Sequence, residues 1–183
     1  MENISAEELR KLIFKWSGRR VLDLSGKGLS KVPEAVTDLT ELEDLDLSDN
    51  CLKELPTSIN KLKNLIWLRL DKNQLRELPH SIFELSNLTW LSVDRNQLSV
   101  LPANIKHLKN LVLLFLSYNQ LKTLPDEIGE LKKLIRLYVA GNPLTLEGMR
   151  KIVKLQNEMK FDTDVTGKDM KCSLFVFYFM SCE

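Results

Sequence analysis

The sequence predicts an α/β solenoid. This is an arc of stacked units with short parallel strands on its concave face, turns or 3-10 segments on its convex face, and helical caps at both ends. Three observations predict it. Asparagine recurs at Asn50, Asn73, Asn96, Asn119 and Asn142, each 23 residues after the last. A Leu-Pro pair follows at one offset, at Leu55-Pro56, Leu78-Pro79, Leu101-Pro102 and Leu124-Pro125. Ahead of each asparagine, apolar residues alternate in the period of a strand with one buried face, as in Leu45-x-Leu47 and Leu68-x-Leu70. A repeat of this length belongs to units that bury no core alone and must stack.

One unit reads L-x-x-L-x-L-x-x-N-x-L-x-x-L-P-x-x-I-x-x-L-x-x. Full units begin at Arg19, Leu42, Leu65, Leu88 and Leu111, and a sixth begins at Leu134 and loses the pattern after Leu144. The first is degenerate, with Lys27 at the asparagine position and Val32-Pro33 for Leu-Pro, as suits a unit covered on one side only. The organisation expected is an N-terminal helical cap over 1–18, repeats over 19–148, a C-terminal helical cap over 149–161 and a tail over 162–183.

At the N-terminus, Ser5 to Trp16 reads as an amphipathic helix. Ser5 and Glu8 make a capping box, Ile4 and Leu9 a hydrophobic staple, and Leu9, Leu12, Ile13 and Trp16 share one face. Gly18 suits its stop. The helix is expected to lid the first unit; docking a partner is the alternative. Within each unit the leucines point inward. The asparagine side chain can satisfy backbone atoms where strand turns to loop, so stacked asparagines should form a ladder. Proline presets the outer turn. Thr145 to Met159 reads as a second capping helix, with Thr145 as N-cap and Met149, Ile152 and Val153 on one face. After a polar stretch from Asp162 to Lys171, the run Cys172 to Cys182 is almost wholly apolar. It reads as a strand or turn packed on the cap, with an altered terminus or a membrane or partner contact as alternatives.

The register-matched asparagines and the L-P-x-x-I variant resemble the leucine-rich-repeat superfamily, over residues 19 to about 148. The 23-residue unit is similar to intracellular Ras-group repeats such as those of Sur-8, Ras suppressor and Scribble-like proteins. That resemblance implies cytoplasmic protein binding; it suggests small GTPases and phosphatases as partner classes without naming a partner.

Composition points the same way. Lys plus Arg number 26 and Asp plus Glu 25, giving a net charge of +1 and no electrostatic footprint for nucleic acid. No apolar run approaches the roughly 20 residues that span a bilayer. The three cysteines, Cys51, Cys172 and Cys182, have no metal-ligand or disulfide spacing, which suggests a reducing compartment. His80 and His107 fall at different unit positions, and Ser25-Gly26-Lys27-Gly28 lacks the spacing of a phosphate loop. No nucleophile, base and acid share a column, so a non-catalytic role is expected, without cofactor or metal. Lys63, Lys109 and Lys132 form an outer column that reads as a solvated edge.

The outward strand positions fall into columns. One reads Val21, Asp44, Trp67, Trp90, Leu113, Arg136, and the next Asp23, Asp46, Arg69, Ser92, Phe115, Tyr138. A third reads Ser25, Ser48, Asp71, Asp94, Ser117, Ala140, with Asp49, Lys72, Arg95 and Tyr118 at the strand exit. Strands ~4.8 Å apart would place Trp67, Trp90 and Leu113 in one apolar stripe, widened by Phe115 and Tyr138. An exposed stripe the core does not need marks an interaction site. The candidate partner-binding residues are Asp44, Asp46, Trp67, Arg69, Trp90, Arg95, Leu113, Phe115, Tyr118, Arg136 and Tyr138. The expected function is a scaffold or adaptor, monomeric alone, that binds a protein on its concave face. The alternatives are a substrate-selecting subunit of a separate enzyme and a structural piece of a larger repeat protein.

Overall fold

A computed structural model describes residues 4–158. Seven strands form one sheet in chain order: β1 (Phe14–Trp16), β2 (Arg19–Asp23), β3 (Asp44–Asp46), β4 (Trp67–Arg69), β5 (Trp90–Ser92), β6 (Leu113–Phe115) and β7 (Arg136–Tyr138). Pairs from β2 to β7 are parallel and in register at the repeat period, so that Leu22, Leu45, Leu68, Leu91, Leu114 and Leu137 stand in line. All six are buried.

The convex side is built from 3-10 segments at Glu34–Asp38, Thr57–Lys61, His80–Glu84, Ala103–His107 and Asp126–Glu130. Each follows a proline whose fixed φ starts the turn. Each closes when the N–H of the next leucine reaches the carbonyl of the buried Val36, Ile59, Ile82, Ile105 or Ile128. The outer-edge lysines pair with their neighbours: Lys63 Nζ lies 3.3 Å from Glu84 and Lys109 Nζ 3.1 Å from Glu130, while Lys132 Nζ donates to the Gly129 carbonyl.

The asparagines form the ladder. Asn96 Nδ2 donates to the carbonyls of Leu70 (2.9 Å), Val93 (3.1 Å) and Asp94 (3.2 Å), while its Oδ1 accepts from the N–H of Leu75 (3.0 Å). Asn50, Asn73 and Asn119 repeat this pattern. Each thus ties the unit before it to its own strand exit. A second amide ladder, which the sequence reading missed, runs along the strand entry. Asn64, Asn87 and Asn110 donate to the carbonyls of Thr40, Lys63 and Ser86 in the unit before. The signal was present, since these three asparagines are also 23 residues apart.

The N-terminal cap differs from the long helix expected. The capping box forms, with Glu8 N–H donating to Ser5 Oγ and Ser5 N–H to Glu8 Oε2, and Leu9 is fully buried. But α1 (Ala6–Arg10) ends after five residues. Phe14-Lys15-Trp16 then forms β1, antiparallel to β2. Ser17 (φ 52°) and Gly18 (φ 84°) make the two-residue turn between them, so Gly18 serves a hairpin and not a helix stop. Two aromatics alternating about a lysine pack better on the open edge of a sheet than around a helix.

At the other end, α2 (Leu146–Glu158) is capped by Thr145, whose Oγ1 accepts from the N–H of Gly148 at 3.1 Å. Ile152 and Leu155 are buried and Met149 packs on the core. A Cβ at Gly148 would lie 2.5 Å from the Lys122 carbonyl oxygen, so only glycine lets α2 sit this close to the last full unit. The apolar run Cys172–Cys182 lies outside the described residues. Among the described residues no helix is long and apolar enough to cross a membrane.

Candidate protein-binding face

The period-2 pleat that buries the leucines turns their neighbours onto the concave face. There the aromatic rings form a continuous ladder. Ring centroids are 4.8 Å apart for Trp67–Trp90, 5.3 Å for Trp90–Phe115 and 4.5 Å for Phe115–Tyr138. The ladder gains a fifth rung from the cap: Trp16, the register partner of Arg19, lies 5.6 Å from Trp67. Sequence reasoning missed Trp16 because helical spacing fits it as well as strand alternation does. Trp67, Trp90, Phe115, Tyr138 and Leu113 are half-buried, each ring partly covered by the next.

Arg19 is a second residue missed. Its guanidinium lies 3.9 Å from the Trp67 ring centroid and 5.6 Å from that of Trp16. It also ion-pairs with Asp44 at 3.4 Å. Asp44 consequently departs from the expected open position. It is 5% exposed, flanked on neighbouring strands by Val21 and Trp67, and burial raises its carboxyl above the ordinary range despite the Arg19 charge. It supports the ladder's base and presents little surface to a partner.

Asp46 and Arg69 pair across strands at 3.2 Å, and Arg69 also lies 5.7 Å from the Trp90 centroid. Arg95 is exposed and lies 4.6 Å from the centroid of the exposed Tyr118, so these two form a separate rim at the strand exits. Arg136 is half-buried beside Leu113, and its Nε has no hydrogen-bond acceptor.

Two carboxylates not among the expected contact residues stand in the third column. Asp71 Oδ1 accepts from Ser92 Oγ and from Asp94 N–H (2.9 Å), and Asp94 Oδ1 accepts from Ser117 N–H (2.6 Å). Burial raises both, Asp94 to about 6. They line a groove of about 490 Å³ together with Trp90, Phe115, Arg69, Lys72 and Asp49. A second groove of about 270 Å³ lies at the cap end, between Phe14, Trp16, Asp23, Asp46, Trp67 and Arg69. Among the described residues no group of His, Cys, Asp and Glu is arranged to hold a metal ion.

The repeat and the overall fold have counterparts in known proteins. The model of a leucine-rich repeat region matches residues 12–99, and a leucine-rich repeat model matches residues 86–144. The chain belongs to the leucine-rich-repeat superfamily. No curated protein matches it in sequence. Among solved structures, it is similar to a leucine-rich-repeat protein of Leptospira interrogans, at 40% identity and TM-score 0.69, over 73% of this chain and 34% of that one. It is also similar to the crystal structure of PEPR1–AtPEP1, at 30% identity and TM-score 0.58, over 62% of this chain and 17% of that one. The chain thus spans about a third of the length of the Leptospira protein. The superfamily is a protein-interaction fold and typically non-catalytic. The architecture is common to many proteins, so any particular function rests on the side chains of the concave face.

Proposed function

We propose that this leucine-rich-repeat chain is a binding scaffold that grips a protein partner across its concave face. The observation that carries this reading is the ladder of Trp16, Trp67, Trp90, Phe115 and Tyr138, five rings in contact on a surface whose fold is already held by the inward leucines. Large aromatics and arginine supply most of the energy in protein interfaces, and here both occur together. The charged pairs beside the rings set orientation and association rate. The likeness to Ras-group repeats directs the search for the partner to small GTPases and phosphatases, with a role in cytoplasmic signalling.

The test is a double substitution, Trp67→Ala with Trp90→Ala. Both side chains are half-buried on the concave face of the sheet, outside the leucine core, so the variant is expected to keep its far-ultraviolet circular dichroism and lose partners recovered by affinity purification and mass spectrometry. Recovery of the same partners by a folded double variant would count against the concave face as the site.

A further inference from the structure

Charge separates the occupants that the aromatic ladder would accept. The groove beside Trp90 and Phe115 holds three carboxylates, Asp49, Asp71 and Asp94, and two cations, Arg69 and Lys72. Each cation makes an ion pair, Arg69 with Asp46 at 3.2 Å and Lys72 with Asp49 at 3.9 Å, while Arg69 and Arg95 act on Asp71 and Asp94 only from beyond ion-pair distance. Asp71 and Asp94 are left with hydrogen bonds from Ser92, from the Asp94 N–H and from the Ser117 N–H, and with no ion pair among the described residues. They are adjacent, since the backbone N–H of one donates to the carboxylate of the other. Two like charges side by side in a partly desolvated groove are costly, and a cation entering that groove relieves both at once.

The geometry points to a basic segment of the partner as the occupant of this groove, with a lysine or arginine side chain placed over the Trp90–Phe115 stack and against Asp71 and Asp94. The stacked rings, 5.3 Å apart and inclined by 22°, form an apolar wall along which the aliphatic stem of a lysine or arginine can lie, and the carboxylates supply charge-assisted acceptors for its head. An acidic or purely apolar segment would leave the two carboxylates with only the longer-range pull of Arg69 and Arg95 and desolvate them further. This inference rests on the concave-face reading and narrows its partner to one chemistry.

The test selects binders from a displayed library of random-sequence peptides, using the full chain. Selected binders are then measured against Asp71→Asn with Asp94→Asn, and against Trp67→Ala with Trp90→Ala. Asparagine keeps an acceptor for Ser92 and Ser117, so the double Asn variant is expected to fold. Enrichment of arginine and lysine, affinity about tenfold weaker for the double Asn variant, and loss of binding when the arginines are replaced by neutral citrulline would bear the inference out. A library with no basic enrichment, or basic binders indifferent to Asp71→Asn with Asp94→Asn, would overturn it. Non-basic binders that still need Trp67 and Trp90 would leave the concave-face reading standing while this one falls. Binders indifferent to the tryptophans would remove both.

Discussion

Asp94 shows how a single side chain on the concave face weakens the fold that carries it. Burial pushes its carboxyl from the ordinary 3.8 up to about 6 against the pull of the Ser117 N–H, and the like charge of Asp71 adds to the push. The unfolded chain releases this proton near 3.8 and the folded chain near 6. Ionisation therefore costs stability progressively across that interval and in full above it. Asp94→Asn removes the cost. We expect a gain of about 1 kcal/mol at around pH 8, reduced by solvent in the open groove and vanishing at about pH 4. Urea midpoints measured across that range check it, and a flat difference between variant and wild type would contradict it. A second local cost lies at the strand exits. Asp49, Lys72, Arg95 and Tyr118 have φ between 52° and 57°, where the end units use Gly26 and Gly141. The middle units thus accept left-handed backbone at non-glycine residues, of order 1 kcal/mol each, and gain four side chains along the rim of the face.

At the scale of the element, the asparagine ladder holds each strand exit to the one before. Asn96 serves three carbonyls and one N–H in a dry site, and alanine would leave those groups unpaired. Asn96→Ala should lower stability by about 3 kcal/mol in urea denaturation. Asn142→Ala should cost clearly less. Asn142 makes a similar set of bonds, to Leu116, Val139 and Leu121, but is half-buried, so water replaces part of what is lost. Equal losses at the two sites would show that the ladder's strength does not depend on burial by flanking units.

For the whole molecule the ends matter most, because every inner unit is covered on both sides and the end units are not. Residues before Arg19 bury Leu9 against the first unit and cover the edge of β2 with β1. Removing residues 1–18 would expose Leu22 and Leu24 and open a parallel edge for pairing between chains. The truncated protein is expected to melt at lower temperature and to scatter light on heating at concentrations where the full chain stays clear. Unchanged melting and scattering would mean that the first unit is self-sufficient. The same truncation removes Trp16 from the ladder, so the cap is part of the face as well as its support.

The solenoid, its register and the inward leucines were legible because the repeat states each of them several times over, and a slip of one residue would bury charges and expose leucines in every unit. The columns of the concave face followed from that register, which is why Trp67, Trp90, Leu113, Phe115 and Tyr138 could be placed beside one another from spacing alone. The region before Arg19 has no repeat to average over. Leu9, Leu12, Ile13 and Trp16 fit a helix, Phe14 and Trp16 fit a strand, and the open edge of β2 selected the strand. Burial of Asp44 was likewise illegible: its neighbours Val21 and Trp67 could be placed from spacing, but the reach of the Arg19 side chain, which pairs with it at 3.4 Å, could not. Periodicity by itself therefore determined the fold and which residues look outward. Register also set Asp46 opposite Arg69, whereas only the tertiary structure decided which charges are buried and which stand without an ion pair, because desolvation and the reach of long side chains follow from packing that no spacing rule constrains.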